Sequence, residues 1–282
     1  MTEIIKTDQP IVDTKQFHLS TRGDAGMVLN GDFKSQIVFT IPDAIVADDS
    51  IDFIYFSIPY AVIPNSFYVI NETNNLLYVL QSSVTTIYTF PFGNYTTQSF
   101  MTTFKSLLPS LFNITLGQNS NKFTITHTTT AFALTNQSTI DSVMGFTGTV
   151  SSTGLTLTLP RVCNFLPEPR ICIRCPDLAN SLMTATNNSS DVILAVPNTS
   201  RLNGQIIYSN NSNMKTLFKL TNLNQFYVSL TNDDGAPINF NGVSSFFTFQ
   251  FDIHRKTLAK PMPFDKLVNF VNSQSLLQPM NN

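Results

Sequence analysis

Apolar and polar residues along this chain mostly alternate, which is the period of a half-buried β-strand rather than of a helix. The clearest run lies near the C-terminus, where Phe247, Phe249, Phe251 and Ile253 share one face and Thr248, Gln250 and Asp252 the other. Such a strand lines a core on one side and meets water or a partner on the other. Phe226, Val228 and Leu230 repeat the pattern, and TNDDGAPINFNG between the two runs supplies Asp-Gly and Asn-Gly turn chemistry. Further strands are expected at Gln36 to Ile41, Ile51 to Pro59, Leu155 to Pro160, Arg170 to Arg174, Asp191 to Val196 and Gln205 to Tyr208, separated by Pro, Asn, Ser and Gly clusters. That makes about eight, the number in a jelly roll. Lys215 to Leu220 fits either another short strand or a loop.

The pattern changes between Pro64 and about Thr153. Short strands are expected at Phe67 to Ile70, Leu76 to Leu80 and Thr85 to Phe90. Thr96 or Thr97 can then cap a helix whose Phe100, Phe104, Leu107, Leu108 and Leu111 form an apolar stripe that Pro109 ends early. Strands resume at Asn113 to Leu116, Lys122 to His127 and Ala131 to Thr135. The fold class expected is therefore mainly β: an eight-stranded jelly-roll sandwich over residues 31–65 and 154–255, with a small α+β subdomain inserted at 66–153. Residues 1–30 mix charge, Pro and Gly without periodicity and are expected to be an extended arm. Residues 256–282 read as a basic linker and a short helix capped by Asp265.

Composition sharpens this picture. The 282 residues are 42% hydrophobic but only 12% charged, against about 25% charged in ordinary domains. The surface must therefore be built largely from neutral Asn, Thr and Ser. With 24 Phe and 8 Tyr the chain has ample material for a core. A net charge of -2 and no Lys/Arg run argue against nucleic acid as a direct partner. The N-terminal MTEIIKTDQPIVD has neither the basic nor the apolar region of a signal peptide, and no run approaches a transmembrane span, so synthesis in the cytoplasm is expected.

Candidate chemistry is sparse. Cys172 and Cys175 form a Cys-x-x-Cys, but on the alternating RICIRC strand residues three apart face opposite ways, so they are not expected to share a metal or a disulfide. Only Cys163 could join them, and a structural zinc wants four ligands. His18, His127 and His254 fall in three unrelated places, and no nucleophile elbow, zinc-protease, phosphate-loop or dinucleotide motif occurs. Asp233 and Asp234 before Gly235 read more readily as a hairpin turn than as calcium ligands. No catalytic, cofactor or metal residue is assigned, and no enzyme activity is expected.

Four motifs in order give a resemblance. Ile63-Pro64-Asn65-Ser66-Phe67-Tyr68-Val69-Ile70 follows an apolar strand, Phe92-Gly93-Asn94-Tyr95-Thr96 opens a helix, Met144-Gly145-Phe146 closes the insert, and Ile238-Asn239-Phe240-Asn241-Gly242 precedes the last strand. Over roughly residues 36–253 the chain resembles the penton and minor capsid proteins of virophages, polinton-like viruses and nucleocytoplasmic large DNA viruses. That resemblance implies a single jelly roll with an inserted outer domain, assembled as a pentamer at the five-fold vertices of an icosahedral capsid. It implies the virion as location, and the major and minor capsid proteins as partners. Two other functions are compatible with the sequence: a cement protein bridging capsomers, and a glycan- or receptor-binding jelly roll. In the latter, Tyr88 and Tyr95 of the insert are the expected host contacts. Low charge suits repeated subunit contacts, because charged groups are depleted where desolvation costs most.

Overall fold

The computed structural model describes residues 12–23, 26–46, 48–179, 191–218 and 222–256. The chain opens with β1 (Val12–Ser20), β2 (Gly26–Val28), β3 (Gln36–Ile45) and β4 (Ile51–Pro64). A middle region follows with β5 (Leu76–Gln81), β6 (Val84–Thr89), α1 (Thr97–Leu107), β7 (Phe112–Leu116), β8 (Phe123–His127), β9 (Phe132–Leu134), α2 (Asp141–Met144), β10 (Val150–Ser151) and β11 (Thr156–Thr158). It closes with β12 (Arg170–Arg174), β13 (Val192–Pro197), β14 (Gln205–Ser209), β15 (Thr216–Phe218), β16 (Leu223–Thr231) and β17 (Phe246–Arg255).

The first and last groups form two antiparallel sheets, one in the order β1-β17-β4-β14 with β15 also on β4, the other in the order β13-β12-β16-β3-β2. Their inner faces share one core, in which Phe226 of one sheet meets Phe249 of the other with ring centroids 5.1 Å apart. β17 lies between β1 and β4, and Phe247, Phe249, Phe251 and Ile253 are all buried in that core, as their alternation requires. The sheet also has a direction. Val12, Ile51 and Arg255 lie at one end, and Ser20, Pro64 and Phe246 at the other. The middle region therefore leaves the sandwich at the end opposite the first and last described residues.

Several expectations need correction. Residues 12–20 are not part of an arm: β1 pairs with β17 along its whole length, from Val12↔His254 to Ser20↔Phe246. Its inward positions run Asp13, Lys15, Phe17, Leu19, with only Leu19 buried, so apolar alternation is present in just half the strand. Residues 1–11 and the expected C-terminal helix lie outside the described residues. The stretch Leu155 to Pro160 does not join the sandwich. It supplies β11, which pairs with β8 from Thr156↔Thr126 to Thr158↔Thr124. Periodicity names the buried face of a strand but not its neighbour. Finally, β4 does not stop at Pro59. It continues to Pro64 through a register shift against β17 between Thr248↔Tyr60 and Gln250↔Ser57. A bulge leaves a residue outside the ladder, which is where a proline without an N–H is tolerated inside a sheet.

The middle region packs round a second core. Sheets β10-β9-β5-β6 and β11-β8-β7 enclose it together with α1. Thr96 caps α1, its hydroxyl accepting from the Ser99 N–H while the Ser99 hydroxyl accepts from the Thr96 N–H. The helix ends at Leu107 because Pro109 keeps Leu108 extended. Phe100 stacks on Phe90 at 4.9 Å and on Phe123 at 5.5 Å. Leu157 and Leu159 belong to this core, and Cys163 and Phe165 pack against it. The segment Phe67 to Ile70 forms no strand; only Ile70 makes a bridge, to Gly93.

Candidate assembly surface

Strands β17, β4 and β14 carry apolar residues on both faces near the end where the middle region departs. β4 reads IDFIYFSIPYAVIP, and β14 carries Ile206 beside Ile207. Ile206 and Ile63 turn inward and are buried, so Val62 and Ile207 turn outward. In the register of the sheet Phe246, Val62 and Ile207 form one row across three strands, and Tyr60 adjoins Val62 in the next row. Phe246 is 44% exposed, Ile207 57% and Tyr60 42%. Val243 and Leu202 add exposed apolar surface from the adjoining loops. A shallow groove of about 320 Å³ runs beside Val62, Pro64, Val243 and Phe246. The Arg22 guanidinium sits 5.8 Å above the Phe246 ring, a cation–π contact at the margin of the patch.

Several charges of the sandwich are paired within the chain. Lys15 meets Asp43, Arg170 meets Asp233, Arg174 meets Asp191, and Lys215 meets Asp252 at 2.6 Å. Asp252 is the most buried of these. Burial pulls its carboxyl upward, but donation from Lys215 Nζ, the Thr14 hydroxyl at 2.9 Å and Gln250 Nε2 at 2.9 Å outweighs this and holds it below the usual carboxylate range. Asp233 is likewise held low, chiefly by the hydrogen bond from Arg170. With only 12% charged residues, much of the surface is left to neutral groups.

The residues singled out in sequence take structural places. Cys175 is buried in the sandwich core with Ile171 and Ile173, and burial pushes its thiol up to about 12. Cys172 sits on β12 with its Sγ 3.5 Å from Asp233 Oδ1. His18 is exposed beside Thr248, His127 is buried in the second core region against Gln81, and His254 stacks on Phe53 at 4.3 Å. Among the described residues no cluster of three His, Cys, Asp or Glu is placed to hold a metal ion. Asp233 and Asp234 sit in a turn where the Gly235 N–H reaches Asn232 O at 3.2 Å and Gly235 has φ +87°. Tyr88 and Tyr95, expected as host contacts, are half-buried against the second core, with the Tyr95 hydroxyl on Pro91 O. The aromatic rings that the middle region and its root do expose are Phe92 and Tyr68.

Three of the four ordered motifs meet at the joint between the two cores. Asn65 is fully buried, and its Nδ2 donates to the carbonyls of Ser200 and Arg201. The Ser66 hydroxyl donates to Phe240 O, Asn241 Nδ2 returns to Ser66 O, and Phe67 packs edge-on against Phe240. Asn94 Oδ1 accepts from the Val69 N–H. The fourth motif braces the middle region itself: Gly145 has φ +93°, and a Cβ there would lie 2.5 Å from Arg161 O, so no other residue fits. A cleft of about 570 Å³ opens at this joint, lined by Tyr68, Phe92, Glu72 and Glu168 among others. Burial raises the Glu168 carboxyl; a hydrogen bond from Asn232 opposes it, and the nearby Asp233 and Asp234 add to the rise.

The fold is that of a mainly β, antiparallel sandwich protein with a second two-sheet unit. Among the described residues no helix is long and apolar enough to cross a membrane. No family model matches the chain, and no curated protein is similar to it. Among solved structures, the crystal structure of the SeMet-labelled mavirus penton protein is similar over 88% of this chain and 100% of that chain, at 14% identity and a TM-score of 0.40. So distant a likeness carries no argument about function.

Proposed function

We propose that this chain is a structural subunit of a viral capsid, most simply the penton, whose work is assembly of copies of itself rather than turnover. The observation that carries the reading is the outward row Phe246–Val62–Ile207 with Tyr60, an apolar patch on a sheet face that none of the described residues covers. Contiguous exposed patches of this kind mark interaction sites. A jelly roll is supported by the orders β1-β17-β4-β14 and β13-β12-β16-β3, in which β16 and β17, though consecutive, belong to opposite sheets. On that reading β2 and β15 are short additions to an eight-stranded barrel-like sandwich, and the middle region is an insertion between its third and fourth strands, β4 and β12.

A closed ring needs a heterologous contact, in which one side of each copy meets a different side of the next. The apolar row is one such side. The insertion would project outward from the shell, and the chain ends, leaving the opposite pole, would reach the major and minor capsid proteins. The same polarity favours a second reading, a minor capsid protein that bridges capsomers through its ends. The location would be the virion, after synthesis in host cytoplasm.

The test is the mass of the purified full-length chain by light scattering at micromolar concentration, beside Phe246→Asp and Ile207→Asp. The wild type is expected as a pentamer and both variants as smaller species. A wild-type monomer at every salt concentration refutes the proposal.

A further inference from the structure

The middle region carries an open strand edge. Among the described residues, β6, Val84–Thr89, is the last strand of the sheet β10-β9-β5-β6 and pairs only with β5. Five of its six residues are exposed, and only Tyr88 is half-buried. Its sequence, VTTIYT, is β-branched and aromatic throughout, with no charge, proline or bulge. Natural sheets guard such edges with charges, prolines or very short strands. Four other edges here do so: β1 carries Asp13 and Lys15, β13 ends at Pro197, and β2 and β10 have three and two residues, whereas β7 and β14, of five residues each, carry neither charge nor proline.

The hairpin fixes which groups β6 offers. Ser82 and Ser83 connect it to β5 with φ of 47° and 66°, a two-residue turn whose closing pair Gln81↔Val84 is hydrogen-bonded. Bonding to β5 then recurs at Thr86 and Tyr88, and Phe90, next in that parity, donates its N–H to Asn75 O at 2.8 Å. The backbone groups of Thr85, Ile87 and Thr89 therefore point away from the sheet. Those three residues are symmetric about Ile87. On the same outer face β5 places Leu76, Tyr78 and Leu80, each half-buried, so the uncharged surface continues from the edge onto the sheet.

We propose that β6 is a strand-pairing interface for a second copy of this chain, joined antiparallel about a two-fold axis through Ile87. In that register Ile87 faces Ile87 and Thr85 faces Thr89, giving three pairs that each exchange two backbone hydrogen bonds. The occupant is a second copy because this register is self-complementary: every outward group finds a partner, Thr meets Thr, Ile meets Ile, and no like charges oppose. Pairing of two six-residue strands buries less than the roughly 1,200 Å² of a stable interface, so the contact is reversible in isolation. It is isologous and on a different unit from the apolar row, so it does not depend on the ring.

The experiment is oxidative cross-linking of the full-length chain. Ile87→Cys puts two thiols at a facing pair about 5.5 Å apart between Cα atoms, within disulfide range. Val84→Cys is the control: it is exposed to a similar degree, but its symmetry mate lies six residues along the partner strand, about 20 Å away. Ile87→Cys is expected to give a disulfide dimer on a non-reducing gel at least about tenfold faster than Val84→Cys or the wild type. In parallel, the amides of Thr85, Ile87 and Thr89 are expected to gain hydrogen-exchange protection with rising concentration, and Ile87→Lys to abolish that gain. Equal cross-linking rates at the two positions, or amides whose protection ignores concentration, overturn the proposal. Phe246→Asp should leave the Ile87→Cys dimer unchanged, so loss of the ring and loss of this contact are read separately.

Discussion

The two cores of this molecule are assembled from very different distances along the chain. The second core draws on residues from Ile70 to Leu159, and each of its strands pairs with another inside that stretch. The sandwich closes only when β1 meets β17, with Thr14 bonded to Asp252 across 238 residues. Loop closure is an entropic cost that must be met before non-local contacts reward it. The insertion is therefore expected to behave as a local unit and the sandwich as one that needs both chain ends in place.

The sharpest way to break that comparison is to remove residues 1–20. This takes away β1, bares the edge of β17, and uncovers a core that Leu19 helps to close. The sandwich transition is expected to disappear from thermal unfolding while the insertion's survives. An unchanged two-transition melt would return residues 12–20 to the status of a dispensable arm. Next in size are two matched core truncations. Phe249→Ala and Phe100→Ala each empty a fully buried site and should each cost about 3 to 5 kcal/mol. Chemical denaturation should assign them to different transitions, the first to the sandwich and the second to the insertion; one shared transition would mean that the cores fold as a unit.

A smaller effect is expected at the Asp252 network. Lys215→Met leaves a buried carboxylate with only neutral donors and should cost about 1.5 to 3 kcal/mol at neutral pH. Asp252 titrates below its ordinary value in the folded chain, so its network stabilises fully above the unfolded carboxyl's pKa. That contribution fades as pH falls below about 4. A pH titration of stability in wild type and Lys215→Met should converge in acid; a constant gap would contradict the assignment. The smallest effect is at Glu168, whose carboxyl is raised by burial at the joint. An acid with a raised pKa destabilises the fold once ionised, so Glu168→Gln should be neutral or stabilising by no more than about 1 kcal/mol at pH 7, with the gain vanishing in acid. A clear loss of stability at pH 7 would show that the carboxylate form is needed.

What could be read from sequence follows the same division. β17 was legible because Phe247 to Ile253 alternates without exception, and α1 because Thr96, the apolar stripe and Pro109 mark its start, face and end. β1 was hidden because Asp13 and Lys15 occupy inward positions, so its strand character comes from its partner rather than from its own pattern. β11 was legible as a strand but not as a neighbour of β8, since a period-2 run is the same whichever sheet it joins. The apolar row had a trace in sequence: β4 breaks alternation with apolar residues at both Val62 and Ile63, which is what a strand with two apolar faces looks like. That Phe246 and Ile207 would join Val62 depends on register, and register is a property of the assembled sheet.

The central claim, that copies of this chain assemble into a ring through the sandwich, is tested most directly by cryo-microscopy of the purified full-length protein at micromolar concentration. The account predicts particles with five-fold symmetry in which the face bearing Phe246, Val62 and Ile207 is covered by the neighbouring subunit. Single 31.4 kDa particles, or rings in which that face remains open to solvent, would contradict it.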